Sequence, residues 1–246
     1  MNADPAAQLL VLDLQAADTA LGQLAHRRNM LPELAAIVEA DARLAALTGD
    51  LVRAETGIAD LDREQRRLEA DVDQVRQRAD RDQQRMRAGS VPARELESLQ
   101  HEVQTLARRQ SDLEDVVLDL MERREEADAR ASALRADVDR VRAERDAATT
   151  ARDTAFAEID ADVAARTAQR AATSGQIPAD LLALYEKVRV HADGVGAAAL
   201  RKRRCEGCHL ELAGTELRAA RTAPPDAVLR CENCQRILVR TPESGL

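Results

Sequence analysis

Aromatic side chains are almost absent from this sequence, which has one Phe, one Tyr and no Trp among its 246 residues. Aromatic rings supply much of the buried area in an ordinary domain core. A third of the residues are Asp, Glu, Lys or Arg, and most of the apolar residues are Ala, Leu and Val. This composition argues against a large globular core and is typical of long helices.

Long apolar runs are also missing. The run from Leu9 to Leu12 is too short for the hydrophobic region of a signal peptide or for a membrane span. We therefore expect a cytoplasmic protein that has no membrane partner. The net charge of -8 opposes indiscriminate binding of nucleic acid by the whole molecule, so any such binding has to be local.

Cysteine occurs only four times, in two Cys-x-x-Cys pairs. In a reducing compartment this spacing favours a metal ion over disulfides. Each pair directs two thiolates from one tight turn, and two pairs supply the four ligands of a closed tetrahedral zinc site. The sequence therefore predicts one structural Zn²⁺ in a C-terminal zinc ribbon, with the ligands Cys205, Cys208, Cys231 and Cys234.

Recognisable catalytic motifs are missing as well. The sequence has no Ser/His/Asp or Cys/His constellation, no glycine-rich phosphate loop and no helical HExxH motif. A hydrolase that used the metal would need an open ligand position and a nearby general base. His209 follows a ligand directly, but we expect it to face solvent because the cysteines already fill the tetrahedron. We therefore expect no enzymatic activity and no small-molecule substrate.

Two long heptad stripes account for most of the chain. Between residues 37 and 86, thirteen of the fifteen positions spaced alternately by three and four residues are apolar. A second stripe begins at Leu96 and weakens after Val141. Stripes this strict need a partner helix along their length. Gly89, Ser90 and Pro92 favour a turn between them, with Ser90 as a helix cap, so we predict an antiparallel helical hairpin.

The predicted fold is mainly α, a long antiparallel coiled-coil hairpin followed by a small C-terminal β zinc ribbon. The hairpin covers residues 1–175, with its tip near 88–92 and a kink near Pro32, where the apolar repeat slips by one residue. A turn centred near 90 makes the numbers of facing residues sum to about 180. A neighbouring register would instead place Gln65 against Gln110 as a polar layer, and the sequence leaves both open.

Residues 176–246 form the second predicted domain. A short helix from 179 to 190 is expected to dock the ribbon onto the hairpin. Ribbon strands are predicted at 197–204 and 210–212 around the first cysteine pair, and at 228–230 and 236–240 around the second. The spacer from 215 to 222 is predicted to be helical.

The ribbon is locally basic. From residue 195 to 246 the formal charge is +3, against -11 for the rest of the chain. Such a surface can meet phosphates or an acidic protein, although a solvated strand explains the basic run equally well. The ribbon contains no aromatic side chain on which a nucleic-acid base could stack. The candidate partner- or nucleic-acid-binding residues are Arg201, Lys202, Arg203, Arg204, Arg218, Arg221, Arg230, Arg236 and Arg240.

Several phrases together resemble the bacterial C4-type zinc-ribbon proteins that carry a long coiled-coil hairpin. They are SVPARELESLQHE at 90–102, LED at 113–115, IPADLLALY at 177–185 and CENCQRIL at 231–238. Their order and spacing cover nearly the entire chain. The tip has VPARE at 91–95, where the family tends to have an Asn-Pro-Lys-Glu-like sequence.

The resemblance implies a non-enzymatic cytoplasmic adaptor. Its relatives bind the nitrogen-regulation type of sigma factor, secretion-system components or a flagellin messenger RNA. We therefore expect a protein partner, from the transcription or secretion machinery, bound by the coiled-coil faces and the zinc ribbon. The alternative is an RNA- or DNA-binding protein that acts through the basic surface. The same heptads can pair within one chain or between two, and we favour the monomer.

Overall fold

The computed structural model describes residues 1–89 and 91–246, and it confirms a mainly helical chain with a small C-terminal sheet. The predicted cap at Ser90 lies outside the described residues. The helices are α1 (Pro5–Asn29), α2 (Pro32–Arg87), α3 (Ala93–Ser174), α4 (Ala179–His191) and α5 (Gly214–Thr222). The strands are β1 (Ala197–Arg201), β2 (Arg204–Cys205), β3 (Leu229–Arg230) and β4 (Ile237–Arg240).

The chain divides into two compact units. We call residues 35–149 the arm, and residues 1–34 together with 150–246 the base. The boundary proposed from the sequence, between 175 and 176, lies inside the base. The physical reason is that α1 and α4 share one apolar core with the strands of the ribbon, so the metal-binding region is not a separate body from the first helix.

The arm is an antiparallel pair formed by α2 from residue 35 onward and by α3 up to residue 149. Its buried residues all lie on the two predicted stripes, at Ala40, Ala79, Asp82, Leu99, Leu120, Ala131, Val138 and Val141. Two stripe positions hold arginines, which pair across the helices. Arg124 lies 2.7 Å from Asp62, and Arg145 lies 3.3 Å from Asp41. Partly exposed ion pairs therefore replace apolar contacts at these layers.

Cross-helix ion pairs decide the register of the arm. Arg85 pairs with Glu95 at 2.8 Å, and Arg135 pairs with Glu55 at 2.8 Å, so the paired numbers sum to 180 and 190. A layer of Gln65 against Gln110 would require paired numbers that sum to 175. Instead, each of these glutamines donates to a glutamate four residues later on its own helix. The arm therefore lacks the polar glutamine layer. Near the tip the pairs follow the register that the turn implies, and farther along the arm the sums rise to 186–190, as for Arg124 with Asp62 and Arg145 with Asp41.

A break separates α1 from α2 at Met30 and Leu31. The amide of Met30 still donates to the carbonyls of His26 and Arg27, at 3.0 and 3.2 Å. Pro32 then occupies the first position of α2, where its missing N–H leaves no hydrogen bond unmade. At the other end of α1, Asp4 accepts a hydrogen bond from the amide of Ala6 and caps the helix.

The ribbon sheet has the strand order β2-β1-β4-β3, with β1 and β4 parallel and both outer pairs antiparallel. Successive side chains in a strand point to opposite faces. On one face, Ala197, Ile237 and Val239 pack against α1 and α4. On the other face, Leu200 and Leu238 pack against the cysteines. The sheet is therefore buried on both sides, by helices on one and by the cysteine cluster on the other.

The predicted strands and helices of the ribbon are close to those observed. Two segments are exceptions. The single strand predicted at 197–204 is instead the antiparallel pair β1 and β2, because the chain turns at Lys202 and Arg203, and the segment 210–212 forms only an isolated bridge between Arg204 and Glu211. In the part of the chain that is described, none of the helices combines the length and the apolar character that crossing a bilayer requires.

Candidate metal centre

Each cysteine pair forms a tight turn, and the two turns have the same backbone geometry. The amide of Cys205 donates to Leu210 and that of Cys231 donates to Arg236, each at 3.0 Å. The residue after each second cysteine, His209 or Gln235, has a left-handed φ of 61°. Its amide donates back to the first cysteine of the pair, at 2.7 and 2.8 Å respectively. The two turns thus present their thiols in equivalent ways.

The four sulfur atoms converge on one point. All of them lie within 4.8 Å of one another. Cys205 Sγ is 3.8 Å from Cys234 Sγ, and Cys208 Sγ is 3.8 Å from Cys231 Sγ. A tetrahedron with Zn–S bonds of about 2.3 Å has edges of about 3.8 Å. Both the donor set and the spacing therefore fit one structural Zn²⁺, and four thiolates leave no ligand position for water.

Burial opposes ionisation of two of the four thiols, those of Cys205 and Cys231. Burial raises the pKa of Cys205 to about 12, against hydrogen bonds from the amides of Cys208 and Gly207 that favour the thiolate. Burial likewise raises the pKa of Cys231. Zinc binds thiolates, so loading the site releases protons. The amides of Cys208 and Gly207 stabilise the thiolate form of Cys205, which is the form that binds zinc.

His209 is exposed and is not part of the cysteine cluster. Its backbone occupies the left-handed position that closes the first turn. The expectation that it faces solvent is therefore confirmed. In this arrangement His209 neither ligates the metal nor lies beside an open coordination position.

Side chains around the cluster fix the two cysteine turns in place. Glu216 of α5 is 7% exposed, and its Oε1 accepts a hydrogen bond from the amide of Glu232 at 3.0 Å. Arg236 donates to the carbonyls of Val195 and Gly207, at 3.0 and 2.9 Å. Sequence patterns gave no indication of these roles, because each contact joins residues far apart in the chain. They hold the ligand geometry together.

A buried polar network ties the sheet to the helices of the base. The Oε1 atom of Gln15 accepts hydrogen bonds from the amides of Gly196 and Ala197, at 2.6 and 3.3 Å. Tyr185 donates to Asp18 at 2.6 Å. Asp18 also accepts from Arg170 at 2.6 Å. This network joins α1, α3 and α4 to the strand that leads into the first cysteine turn.

Charge and burial act in opposite directions on this network. Burial acts to raise the pKa of Asp18, but hydrogen bonds from Arg170 and Tyr185 outweigh it and hold that pKa below its usual value. The pKa of Tyr185 is raised, mainly by burial and secondly by the hydrogen bond that it donates to Asp18. The network therefore consists of an ionised carboxylate, a neutral phenol and a guanidinium at neutral pH.

Gly196 lies where this network meets the sheet. A Cβ built there would come within 2.7 and 2.8 Å of two ring carbons of Tyr185. The backbone approaches the ring so closely that only glycine fits without a shift of Tyr185. Neither Gly196 nor Tyr185 stood out in the sequence as a determinant of the metal site.

The nine candidate basic residues have different surroundings. Arg240 donates to the carbonyls of residues 223, 224, 225 and 227, at 2.7–3.1 Å. Arg230 donates to the carbonyl of Gln235, at 2.9 and 3.0 Å. Together with Arg236, these arginines hold the ribbon fold. Their part in binding any partner stays a prediction.

The remaining candidates lie at the surface of the ribbon. Arg201 pairs with Glu243 at 2.6 Å, and Arg203 donates to the carbonyl of Gly245 at 3.3 Å. Lys202 and Arg203 form the turn between β1 and β2, with left-handed φ values of 47° and 64°. Of the nine candidates, four have side chains that make no hydrogen bond or ion pair within the described residues: Lys202, Arg204, Arg218 and Arg221.

The four cysteines cluster beside a small sheet, and most of the remaining chain forms long paired helices. These features define a coiled-coil protein with a C4 zinc ribbon. Comparison with known families makes this specific. The CT398-like coiled coil hairpin domain matches residues 14–193, and the C4-type zinc ribbon domain matches residues 204–238. The chain belongs to the CT398-like family of coiled-coil hairpin proteins.

Relatives match over nearly their whole length. "Uncharacterized protein Rv2229c" of Mycobacterium tuberculosis is 37% identical over 240 residues, which is 98% of each chain. "Uncharacterized protein ML1638" of Mycobacterium leprae is 30% identical over 228 residues, 93% of this chain and 94% of the relative.

Solved structures give the same result for the fold. A structure from Mycobacterium smegmatis has 35% identity and a TM-score of 0.87, and the match covers 98% of this chain and 100% of that one. CT398 from Chlamydia trachomatis has 17% identity and a TM-score of 0.69, over 96% of this chain and 98% of that one. At that identity the likeness shows a shared fold.

Proposed function

We propose that this protein is a non-enzymatic adaptor that binds a protein partner through its zinc ribbon and its coiled-coil faces. The observation that carries the proposal is the sulfur cluster, in which four thiols converge at the spacing of a closed zinc tetrahedron. A catalytic zinc keeps a position for water or substrate, and four protein thiolates occupy all of them. The metal therefore serves to hold a surface in shape.

The surface that the metal holds is suited to contact with another macromolecule. The turn between β1 and β2 carries Lys202 and Arg203, whose left-handed φ values restrict the backbone that presents their side chains. The amides of these two residues donate to the carbonyls of Glu243 and Ser244, each at 2.8 Å. A rigid, exposed cationic turn favours an acidic protein surface as the partner, because charge complementarity sets orientation and speeds encounter.

The experiment that tests the proposal is affinity capture with the zinc-loaded full chain. Lys202→Glu combined with Arg204→Glu reverses two exposed charges on the ribbon. Arg108→Glu combined with Arg109→Glu makes the same charge change on the arm and is the control. We expect a protein that is captured by the wild type and by the control pair but lost with the ribbon pair. Equal capture by both double variants would overturn the ribbon as a contact surface.

The second candidate function is RNA or DNA binding, and the unpaired cationic side chains of the ribbon are the observation that favours it. Lys202, Arg204, Arg218 and Arg221 have no anionic partner among the described residues. With Arg203 they offer at most five phosphate contacts. Counterion release then limits the slope of log K against log salt to about -4 to -5 on duplex DNA. Arg230, Arg236 and Arg240 are not counted here because backbone carbonyls already engage their N–H groups.

A gel-shift titration in salt separates the two functions. Phosphate binding predicts a shift at low salt that disappears steeply as salt rises, and that Arg204→Glu weakens. A protein contact leaves RNA and DNA unshifted even at low salt. An unshifted nucleic acid would eliminate this second function and leave the adaptor in place.

A further inference from the structure

The middle of the arm contains a groove between its two helices. Val72, Val117 and Leu118 supply apolar lining, and the same groove is lined by the carboxylates of Glu69, Asp73 and Glu114. The groove therefore combines apolar side chains with carboxylates from both helices. It lies entirely within residues 35–149 and includes none of the cysteines or ribbon residues.

Large apolar side chains continue from this groove onto the surface of α3. Leu118 is 58% exposed and Met121 is 41% exposed. Residues three apart are neighbours on one face of a helix. Single exposed apolar residues are normal, but two adjacent ones that extend an apolar groove form a strip that a further helix can cover.

Carboxylates outnumber cations around this strip, where Arg76 follows Val72 by four residues and Asp73 by three on one helix face. Residues 68–75 and 110–122 contain no Lys or Arg, and their eight acidic residues are Glu69, Asp71, Asp73, Asp112, Glu114, Asp115, Asp119 and Glu122. Arg123 lies 3.8 Å from Asp119, and Arg124 is engaged by Asp62 at 2.7 Å. In the described residues, Asp73, Asp115 and Glu122 make no ion pair or hydrogen bond.

Leu118 lies at the centre of this charge distribution. Glu114 and Asp115 precede it by four and three residues, and Glu122 follows it by four, so all three share its helix face. Like charges this close repel one another and destabilise the bare helix surface. A bound cationic segment would relieve that repulsion while it covers the apolar strip.

We propose that this groove is a docking site for a basic amphipathic helix of a partner protein. The inference deepens the proposed adaptor function, on which it rests. The apolar face of the partner helix lies along Val117, Leu118 and Met121, and its Lys or Arg side chains flank that face and meet Glu69, Asp73 and Glu114. A helix is the occupant because the groove runs between two helices and its exposed apolar residues have helical spacing. An anionic partner, such as nucleic acid or an acidic membrane, is repelled here.

The test uses the zinc-loaded full chain and a designed probe. The probe is a fluorescent peptide of about 18 residues, or five helical turns. Leu residues form one face of the peptide, and Lys and Arg flank that face. A second peptide has the same composition, scrambled so that no apolar face forms. Fluorescence anisotropy measures both affinities. We expect the amphipathic peptide to bind at least tenfold more tightly than the scrambled one, and equal binding would overturn the proposal.

Matched variants locate the site. Leu118→Ser removes an exposed apolar side chain from the groove, and Val52→Ser does so elsewhere on the arm, where Val52 is 56% exposed. We expect Leu118→Ser to weaken peptide binding at least fivefold and Val52→Ser to leave it unchanged. Circular dichroism melts confirm that both variants fold. A Leu118→Ser variant that binds as tightly as the wild type would overturn the proposal.

A second set of variants separates local from overall charge. Neutralising Glu69, Asp73 and Glu114 as Gln, Asn and Gln removes three charges from the groove. Neutralising Glu39, Asp80 and Asp162 in the same way makes an equal change in net charge elsewhere. We expect only the first triple variant to weaken binding by more than about fivefold and to reduce its salt dependence. Equal weakening by both would show general attraction of a cation and would contradict a specific site.

Two further measurements keep this inference separate from the adaptor function. Peptide binding is expected to persist in Cys208→Ser, because the groove includes no residue of the base, and its loss would contradict a site within the arm. Light scattering is expected to show that Leu118→Ser leaves the oligomeric state unchanged. A dimer that Leu118→Ser dissociates would make a second copy the occupant and overturn the proposal. If ribbon-dependent capture fails while peptide binding holds, only the ribbon contact is lost.

Discussion

Residues 35–149 and the rest of the chain bury their side chains in different ways. Of the twelve largest fully buried side chains, ten lie in the base and two, Leu120 and Val141, lie in the arm. Both aromatic residues, Phe156 and Tyr185, are also in the base. The arm distributes its stability along a seam of small contacts and exposed ion pairs, whereas the base concentrates it in one core, one polar network and one metal site.

This difference teaches where the chain is sensitive to change. In a two-helix seam each layer contributes little, so a single substitution removes a small part of the total. In the base, the sheet is too small to bury enough apolar area by itself, and metal ligation and close packing against α1 and α4 supply the rest. Substitutions in the base are therefore expected to have larger effects than equivalent ones in the arm.

The largest expected effect is the loss of the metal. Structural zinc contributes on the order of 10 kcal/mol or more to small zinc modules, so Cys208→Ser should unfold the ribbon. Hydrogen exchange is expected to become fast in residues 197–240 and to stay slow in the arm. Exposed Asn233→Ser, in the other cysteine turn, is the control and should retain protection. Protection of the ribbon in the Cys208→Ser protein would contradict a metal-dependent base.

A smaller effect is expected at Gly196. Gly196→Ala places a Cβ within 2.7–2.8 Å of the Tyr185 ring, and forced overpacking of this kind costs about 3 kcal/mol. Urea unfolding followed by the fluorescence of Tyr185, the sole Tyr in a chain without Trp, measures the base directly.

Gly57→Ala is the matched control in the arm. Apart from the nearby backbone of its own helix, nothing lies within 4 Å of the added Cβ, so alanine should stabilise the helix by about 0.5–1 kcal/mol. We expect Gly196→Ala to lower the free energy of unfolding and Gly57→Ala to raise it, which would sharpen the contrast between base and arm. Equal tolerance at both positions would contradict the close packing assigned to Gly196.

A smaller loss of stability is expected when the polar network around Asp18 is disrupted. Asp18→Asn removes a carboxylate that is 6% exposed and hydrogen-bonded to Arg170 and Tyr185, and we expect a loss of about 2 kcal/mol at pH 7. Because the folded pKa of Asp18 is lowered, its stabilisation is present above the unfolded pKa of about 3.9. It is lost as the pH falls through the folded value.

The wild type and Asp18→Asn should therefore approach equal stability in acid, as measured by urea unfolding between neutral pH and pH of about 3. Asp60→Asn, whose exposed carboxylate pairs with Arg63 three residues later, is the control and should change little at any pH. A pH-independent difference for Asp18→Asn would contradict the role of its charge.

The smallest effect is expected from an ion pair of the arm. Arg135 and Glu55 lie 2.8 Å apart but are 54% and 46% exposed. A double-mutant cycle with Arg135→Ala and Glu55→Ala should give a coupling of about 0.5 kcal/mol or less. A coupling as large as the effect of Asp18→Asn would remove the contrast between arm and base.

Local patterns predicted much of the fold. Among the described residues of the arm, all the buried positions lie on the heptad stripes, because a coiled coil repeats one simple contact along its length. The two Cys-x-x-Cys pairs identified the sulfur cluster, since tetrahedral coordination by four thiolates needs that spacing. In both cases the information lies in residues close together in the sequence.

Long-range packing could not be predicted in the same way. That α1 shares a core with β1 and β4 depends on residues more than 170 positions apart, such as Gln15 and Gly196. The structural use of Arg230, Arg236 and Arg240 depends likewise on carbonyls that only the folded ribbon brings within reach. A basic run in a sequence does not reveal which guanidinium groups the fold has already engaged.

X-ray absorption at the zinc edge of the metal-loaded full chain tests the central claim most directly. A closed structural centre predicts one zinc per chain with four sulfur neighbours at about 2.3 Å and no nitrogen or oxygen ligand. Three or fewer sulfur neighbours, or a bound water oxygen, would contradict a site that holds a contact surface in shape without an open coordination position.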